Sequence, residues 1–266
     1  MPQYDDFSLS GFNISETLYS TPTTRVFRAI RERDQAPVIL RTCGEQASAS
    51  QIARLSSSAE ILQGFEHPHI VKVLEVVEHA GLPCLVLEDT GSVDLNQYLD
   101  QSSNHQLQAP ENPLRRMINI PLESFLDIAI QLADALSMIH HGQVIHKDLH
   151  PGNIVINPNT LNLQIIDFGL ASLLSREQPA LAPPDNLEGV LAYISPEQTG
   201  RMNRSLDYRS DFYTLGVTLY QVLTGRLPFE ADDAMGLVHA HIARVQVPAC
   251  DVQPEVHRPD VPQVVS

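Results

Sequence analysis

The sequence predicts an α+β fold with two lobes, in which a small strand-rich N-terminal lobe precedes a larger helical C-terminal lobe. Two observations predict this arrangement. Short apolar runs separated by turn residues fill the first 89 residues, with one helical pattern at residues 49–63. Longer helical patterns, above all at residues 121–140, dominate the remainder. We therefore assign residues 1–89 to the N-lobe and residues 90–266 to the C-lobe of one domain.

The N-lobe is predicted to be a sheet with one helix. Residues 14–29 have the pattern of a strand, a turn and a second strand, and residues 37–42 form a third short apolar run. Two further strands flank the turn at residues 79–81, where His, Ala and Gly interrupt the apolar pattern. The helix is indicated by apolar side chains at helical spacing, namely Ile52, Leu55, Ala59 and Leu62.

The C-lobe is predicted to be mainly helical. Pro121 opens its longest helix, as proline often does at a first helical position. Residues 211–224 have apolar side chains around the whole axis and predict a buried helix, and residues 233–245 predict another. Residues 96–113 are polar and predict a surface loop, whereas the proline-rich residues 248–262 are expected to be irregular.

Composition limits the possible partners. No run of apolar residues approaches the 18 or so that a membrane-spanning helix needs, and the first ten residues do not resemble a secretory signal. Three scattered cysteines do not form a disulfide framework, so we expect a reducing cytoplasm. The formal net charge of −15 argues against nucleic acid and anionic membranes, because both are polyanions.

The strongest chemical signal is His-Lys-Asp-Leu-His-Pro-Gly-Asn at residues 146–153, followed by Asp-Phe-Gly at residues 167–169. Asp148 and Asn153 stand at either end of a short loop, so both can face one cavity. Asp167 follows the neighbouring apolar run, after a turn at residues 157–159. A carboxylate that accepts a proton, an amide and a second carboxylate that hold metal ions are the groups that phosphoryl transfer requires.

These two motifs resemble the catalytic loop and the D-F-G element of eukaryotic-type serine/threonine protein kinases, over residues 14 to about 245. Tyr-Ile-Ser-Pro-Glu at residues 193–197 is similar to the A-P-E element, and residues 85–89 are similar to the strand before the hinge. Residues 191–216 also resemble the kinase-type module at the N-terminus of large bacterial multi-sensor hybrid signalling histidine kinases. That likeness implies a bacterial fragment of a longer chain.

The resemblance implies ATP and Mg²⁺ as cofactors, and a protein substrate or the signalling domains of a longer chain as partners. It makes Asp148 the catalytic base, with Asn153 and His150 beside it, and makes Asn153 and Asp167 the metal ligands. It places the nucleotide among Leu18, Val26, Ile39, Arg41, Glu88, Thr90, Asp94 and Val155. It gives structural or regulatory roles to His146, Lys147, Phe168, Gly169, Glu197 and Asp211.

The upper half of the site departs from the family pattern. The three glycines of the phosphate loop become Tyr19, Thr21 and Thr24 when the sequences are aligned on Val26, so we expect the loop to close less tightly. Arg41 stands where the family has lysine, which changes a compact ammonium into a planar fork. Ile39 stands where the family has alanine, above the adenine. In the N-lobe helix, Ser58 occupies the place of the partner glutamate, and Glu60 is expected to face elsewhere.

The lower half of the site departs less from the family pattern than the upper half does. Lys147 replaces the arginine that usually receives an activation-loop phosphate in the family. His150 replaces the lysine that steadies the transferred phosphate, and Val190 replaces the threonine that usually bonds the catalytic aspartate. We expect Asp185 or Glu188 to neutralise Lys147 without phosphorylation. The glutamate of the A-P-E element normally pairs with an arginine of the closing helices, and Arg258 is a poor candidate. We therefore expect a C-lobe that is incomplete at its C-terminus, or another partner for Glu197.

Three functions remain open on the sequence alone. The first is a serine/threonine kinase, because the three residues of the metal and proton chemistry are present. The second is a pseudokinase that acts as a regulatory binding module, because the glycines, the lysine and the glutamate are lost together. The third is a small-molecule kinase, against which the Ser-Pro-Glu element at residues 195–197 and the following Asp211 both argue.

Overall fold

The fold is described from a computed structural model that covers residues 7–103, 120–177, 189–201 and 205–252. The N-lobe contains one antiparallel sheet whose strand order is β1-β2-β3-β5-β4. Its strands are β1 (Phe12–Ser20), β2 (Thr24–Arg31), β3 (Pro37–Cys43), β4 (Val73–His79) and β5 (Leu82–Glu88), and helix α1 (Ala49–Leu62) connects β3 to β4. The predicted sheet with a single helix is confirmed.

The C-lobe is helical around two small sheets. Its helices are α2 (Leu95–Ser103), α3 (Leu122–His141), α4 (Arg209–Thr224), α5 (Ala234–Ala243) and α6 (Ala249–Val252). Strands β6 (Val93–Asp94), β8 (Ile154–Ile156) and β9 (Leu163–Ile165) form one sheet, and β7 (Val144–Ile145) pairs with β10 (Ser172–Leu173). The α+β fold with two lobes therefore agrees with the prediction.

Two apolar cores hold these elements in place. The larger one joins both lobes, because buried side chains of α1, such as Leu55 and Leu62, belong to the same cluster as Leu136 of α3 and Ile165 of β9. The smaller core covers the other face of the N-lobe sheet and contains Phe27, Val38, Leu40, Cys84 and Val86. The buried contact between α1 and the C-lobe fixes the cleft between the lobes, where the predicted site residues lie.

The predicted surface loop at residues 96–113 is wrong in its first part. Helix α2 covers residues 95–103, and residues 104–113 lie outside the described part of the chain. Leu95 and Leu99 are buried, and Asp94 caps the helix because its Oδ1 accepts from Asn96 N at 2.7 Å. These two leucines are four residues apart and therefore lie on one face of the helix. The polar composition of the whole segment gave them too little weight in the prediction.

The remaining helix predictions are close to the observed bounds, and the turn between β8 and β9 lies where the sequence placed it. Asn157 forms that turn, since its Oδ1 accepts from Asn159 N at 2.9 Å and from Thr160 N at 3.1 Å. Within the residues that the structure describes, no helix combines the length and apolar character that crossing a bilayer requires.

Candidate active site

A buried carboxylate fixes the catalytic loop from below. Asp211, in the first turn of α4, accepts hydrogen bonds from the backbone N–H groups of His146 at 2.9 Å and Lys147 at 2.8 Å. The ring of His140 reaches the same carboxylate at 2.8 Å. Because Asp211 is fully buried, these donors replace the water that its charge would otherwise require. The loop that carries Asp148 is therefore attached to the helical core.

The carboxylate of Asp148 is held from two sides. Its Oδ2 accepts from Asn153 Nδ2 at 3.1 Å, and its Oδ1 accepts from the backbone N–H of Val190 at 3.2 Å. Gly189 adopts a φ of +84°, and a Cβ there would stand 2.8 Å from Asp148 Oδ1. Only glycine therefore lets the chain approach the carboxylate so closely. From the sequence, valine at position 190 was expected to remove a side-chain hydrogen bond to Asp148. The backbone N–H of Val190 donates a hydrogen bond to that carboxylate instead.

Asn153 and Asp167 are the predicted metal ligands, and each has a side-chain oxygen that could coordinate a metal ion. Both hydrogen bonds of Asn153 to Asp148 use Nδ2, so its amide oxygen is the atom that would coordinate a metal ion. Asp167 Oδ1 accepts from Gly169 N at 2.8 Å. The buried ring of Phe168 packs against Phe65 and His146, with centroid distances of 6.1 and 4.9 Å. This packing anchors the residue next to Asp167 in the core between the lobes.

Arg41 bridges the two lobes at this point. Its Nη2 lies 2.5 Å from Asp167 Oδ2, so the residue at the family's lysine position pairs directly with the predicted metal ligand. Burial alone would raise the pKa of Asp167, but the charge and hydrogen bond of Arg41, together with Gly169 N–H, hold that pKa below its usual value. Asp167 is therefore ionised at neutral pH and already neutralised by a cation.

Helix α1 presents no carboxylate to Arg41 at the expected position. Ser58 occupies that position and is buried, whereas Glu60 is exposed, as the helical spacing predicted. The hydroxyl of Ser58 is buried without a hydrogen-bond partner among the described residues. The cation of β3 is thus balanced by Asp167 instead of by α1, and an unsatisfied polar atom remains in the wall of the cleft.

The turn between β1 and β2 satisfies its own backbone donors. Thr21 Oγ1 accepts from Thr24 N at 3.0 Å and from Thr23 N at 3.4 Å, and Thr21 N donates to Thr24 O at 2.9 Å. The tip is also joined to the segment after β3, since Gly44 N donates to Thr23 O at 2.9 Å and Gln46 N to Pro22 O at 2.8 Å. This turn, which stands in place of the family's glycine-rich loop, is held by hydrogen bonds within its tip and to the segment after β3.

We expect Gly44→Ala to destabilise the domain by about 1–3 kcal/mol, because an added Cβ overlaps with its surroundings. That Cβ would stand 2.4 Å from the carbonyl oxygen of Pro22, which is backbone and cannot rotate away. Gly216→Ala is the matched control: nothing lies within 4 Å of its Cβ, and alanine favours a helix. Urea unfolding should show a loss for the first variant and none for the second, and equal midpoints would contradict the tight contact.

One cavity of about 180 Å³ lies between the lobes. Asp148 and Asp167 form its floor with Gly169 and Leu170, and the N-lobe supplies the other side through Thr23, Thr24, Arg41, Thr42, Cys43, Gln51, Arg54, Leu55 and Ser58. The lining is rich in charged and hydroxyl side chains. It has the chemistry of a site for phosphate groups and metal ions.

Of the predicted nucleotide-binding residues, Arg41 lines this cavity and the others do not. Val26 and Arg41 are cross-strand neighbours, so their side chains share one face of the sheet, and Ile39 packs into the core that joins the lobes. Leu18 is exposed on β1, and Glu88 is exposed at the end of β5. Thr90 O accepts from Asn157 Nδ2 at 2.7 Å, and Asp94 pairs in register with Val155. Their contacts with adenine therefore remain predictions.

The supports around Asp148 differ from the family pattern. His150 Nε2 lies 3.7 Å from Asp148 Oδ2, while His150 Nδ1 accepts from Gly152 N at 3.1 Å. The ring of His150 also packs on Tyr193, with centroids 5.4 Å apart. The histidine at the family's lysine position thus contacts both the catalytic loop and the segment near residue 193, which the sequence alone did not indicate.

Lys147 pairs with Glu177, a carboxylate that the sequence analysis did not name. Its Nζ lies 2.5 Å from Glu177 Oε1, and Ser172 Oγ donates to the same oxygen. Asp185 and Glu188, the predicted partners, lie outside the described residues. Lys147 also adopts a φ of +70°, so its backbone is in the left-handed region. The ion pair joins the catalytic loop to the residues after the D-F-G element.

Glu197 has a partner within the described part of the C-lobe. Its Oε1 accepts from Ser210 Oγ at 2.7 Å, while Arg258 lies outside the described residues. Gln198, next to it, donates from Nε2 to Lys147 O at 2.7 Å. The A-P-E-like element is therefore joined to both α4 and the catalytic loop.

Two buried histidines should make stability depend on pH. Burial lowers the pKa of His146 despite the nearby carboxylates of Asp211 and Asp148, and burial also lowers the pKa of His241. The unfolded chain gains these protons near pH 6.5, before the folded chain does, so stability falls as the pH drops below about 6.5. Urea unfolding at pH 7.5 and 5.5 checks this, and the His146→Asn, His241→Asn double variant should flatten the difference. Greater stability at pH 5.5 would contradict it.

Comparison with known proteins agrees with this geometry. The sequence profile described as the protein kinase domain matches residues 14–264. The chain belongs to the protein kinase domain family. Its kinase-domain fold places Arg41 of the N-lobe over Asp148 and Asp167 of the C-lobe, around one cavity.

Three relatives of this kinase domain illustrate the similarity, and all three come from bacteria. Serine/threonine-protein kinase pkn3 of Myxococcus xanthus is 31% identical over 243 residues, which cover 89% of this chain and 41% of that protein. Serine/threonine-protein kinase PrkC of Bacillus subtilis is 29% identical over 237 residues, covering 89% of this chain and 32% of that protein. Probable serine/threonine-protein kinase PknB of Lactococcus lactis is 28% identical, covering 77% and 30%. The chain spans less than half the length of these relatives.

Proposed function

We propose that this domain transfers the γ-phosphate of ATP to a serine or threonine hydroxyl of a protein. The observation that carries the proposal is the grouping of Asp148, hydrogen-bonded to Asn153, with Asp167 in the floor of one cavity. The bacterial serine/threonine kinases to which the chain is similar support the same acceptor class. The acceptor protein and the activity of the whole protein belong to the proposal.

The residues fit Mg²⁺ and ATP. An amide oxygen and a carboxylate are ligands that Mg²⁺ accepts, and the orphaned hydroxyl of Ser58 offers a donor to a phosphate oxygen. Mg²⁺, when bound, would neutralise charge that develops on the phosphate oxygens. Asp148 accepts the proton of the attacking hydroxyl, and Asn153 and Val190 N–H hold its carboxylate in place for that step. Arg41 pairs with phosphate in place of lysine, once it leaves Asp167.

A second candidate function is a regulatory module that binds a partner without catalysis. It is favoured by the turn between β1 and β2, whose amides are already hydrogen-bonded, and by the pairing of Arg41 with Asp167, because both use groups that nucleotide binding needs.

We also propose that the domain is a module of a longer bacterial signalling protein, of the multi-sensor hybrid histidine kinase type, in the cytoplasm. The three free thiols, of which Cys43 and Cys84 are buried, support a reducing location.

The deciding experiment incubates the purified domain with γ-labelled ATP, with and without Mg²⁺, and with a mixed protein substrate such as casein. We expect Mg²⁺-dependent label on serine or threonine of the substrate or of the domain itself, identified by phosphoamino acid analysis. A domain that binds ATP but transfers no label above the protein-free blank would reject catalysis and leave the regulatory function.

A further inference from the structure

One buried hydroxyl in the wall of the cavity between the lobes has no hydrogen-bond partner among the described residues. Ser58 of α1 lines that cavity and is only 1% exposed. Ser56 of the same helix behaves differently, since its Oγ donates to the carbonyl of Ile52, four residues earlier, at 3.3 Å. That is the bond that a serine inside a helix commonly makes. Because an unpaired buried hydroxyl costs stability, the orientation of Ser58 Oγ indicates a partner that reaches it in another arrangement of the cleft.

Arg41 lies in the same cavity wall and can change its partner. Its Nη2 donates to Asp167 Oδ2 at 2.5 Å, and the two side chains are 18% and 26% exposed, so the pair can rearrange without repacking the core. Asp167 is also a predicted metal ligand, and an oxygen that binds a metal ion is lost to the guanidinium. A guanidinium has only donors, whereas a serine oxygen has lone pairs that accept. Ser58 Oγ therefore complements Arg41 in chemistry and lies in the wall that Arg41 shares.

We propose that Ser58 is the second acceptor of Arg41. While Asp167 binds a metal ion, the guanidinium turns toward α1 and donates to Ser58 Oγ, and its other N–H groups face the phosphates of the nucleotide. A hydroxyl is neutral, so it orients the guanidinium and leaves the positive charge to the phosphates, which a carboxylate at the same place would partly cancel. Ser58 is thus a positioning residue that acts through Arg41. The nucleotide part rests on the proposed function, whereas the exchange of acceptors does not.

The exchange of acceptors is tested without nucleotide, by thermal unfolding of the purified domain. Ser58→Ala is expected to raise the melting temperature by about 2–4 °C relative to Ser56→Ala, because it removes an unpaired buried hydroxyl, while both variants gain the same helix propensity. Asp167→Asn presents an amide NH₂ to Arg41 in place of Oδ2 and so releases the guanidinium. In that background Ser58→Ala should lower the melting temperature relative to Ser56→Ala, because the hydroxyl then has a partner.

The positioning role is tested by calorimetric titration with ATP in the presence of Mg²⁺. We expect Ser58→Ala to raise the Kd for ATP about tenfold, the scale of one hydrogen bond to a charged group, and Ser56→Ala to leave it within about twofold. Ser58→Thr should recover part of the affinity, because it keeps the hydroxyl. In an Arg41→Met background, Ser58→Ala should change the Kd by less than about twofold, since Ser58 acts through Arg41.

The outcomes separate this proposal from the proposed function. A Ser58→Ala effect on stability that has the same sign in the wild-type and Asp167→Asn backgrounds would overturn the exchange of acceptors, even if the domain transfers phosphate. A reversal of sign in a domain that binds no ATP would support the exchange and reject the proposed function. Equal ATP affinities for wild type, Ser58→Ala and Ser56→Ala would overturn the positioning role. A loss of affinity that persists in Arg41→Met would also overturn it, because Ser58 would then contact the phosphates without Arg41.

Discussion

Replacing Asp148 by Asn is expected to lower the rate of phosphate transfer about 10²–10⁴-fold, the range that loss of a positioned general base produces. Asparagine keeps the size of the side chain but cannot accept the proton of the attacking hydroxyl. In the wild type, Asn153 and the N–H of Val190 donate hydrogen bonds to the Asp148 carboxylate. The variant removes the negative charge of that group. Initial rates of label transfer from γ-labelled ATP, at saturating Mg²⁺, measure the effect.

The Kd for ATP provides the internal control for this variant, and we expect it to change less than threefold, because Asp148 acts on the acceptor hydroxyl. Asp232→Asn, at an exposed position before α5, removes the same charge far from the cleft and should leave the rate unchanged. Equal rates for wild type and Asp148→Asn would show that Asp148 accepts no proton in the reaction, and the catalytic assignment would then fail.

Removing the carboxylate of Asp211 is expected to have the largest effect on stability. Asp211→Ala leaves two backbone N–H groups and the ring of His140 without their acceptor in a fully buried place. Loss of a buried, hydrogen-bonded charged partner typically costs about 3–5 kcal/mol. We expect urea unfolding to show a loss of this size, and we expect phosphate transfer to fall because the loop of Asp148 loses its anchor.

Glu45→Ala is the comparison for this variant, since Glu45 is 83% exposed and pairs with Arg25 at 3.3 Å. An exposed ion pair contributes less than about 1 kcal/mol, so the unfolding midpoint of Glu45→Ala should barely differ from that of the wild type. If Asp211→Ala were as stable and as active as Glu45→Ala, the three hydrogen bonds to Asp211 would have no role in holding the catalytic loop.

Much of this fold could be predicted from the sequence because its signals are local. Apolar runs with turn residues between them located all five N-lobe strands, and apolar spacing located α1, α3 and α4. Helical geometry alone separated Ser58, which lies in the cavity wall, from Glu60, which is exposed. Side chains two residues apart on a helix point about 200° away from each other, so Ser58 and Glu60 could not both face the cavity.

Helix α2 shows where such local signals fail. Its composition is polar, and it is held by Leu95 and Leu99, which are buried beneath it, and by the cap from Asp94. A short helix of this kind depends on tertiary contacts with the C-lobe more than on its own propensity. Those contacts come from residues that are distant in the sequence, so the local composition alone predicted a loop.

The pairing of charges across the cleft could not be predicted either. Arg41 and Asp167 are 126 residues apart, and only the closure of the lobes brings them together. Lys147 pairs with Glu177, which the sequence offered no reason to prefer over other acidic residues of that region. The threonine turn between β1 and β2 had a local signal, since Thr hydroxyls often accept from amides two or three residues ahead.

These pairings suggest how a kinase domain can keep its chemistry while losing the glycines. The turn is fixed by Thr21 and Gly44, the positive charge of β3 rests on Asp167, and α1 offers Ser58 to the cavity. Binding of Mg²⁺ by Asp167 would compete with Arg41 for the same carboxylate. We therefore expect metal and phosphate binding to be coupled, because Arg41 would be available to phosphate groups when Asp167 holds a metal ion instead.

A metal site at Asn153 and Asp167 is tested most directly by the thermal shift that ATP alone and ATP with Mg²⁺ produce, for wild type and for Asp167→Asn. Ligand at one hundred times its Kd stabilises a protein by about 2.7 kcal/mol, which a melting curve detects readily. We expect a larger shift with Mg²⁺ in the wild type. In Asp167→Asn, where Arg41 is released, we expect a shift with ATP that Mg²⁺ does not increase. Wild-type shifts that are the same with and without Mg²⁺ would contradict a metal site at Asn153 and Asp167.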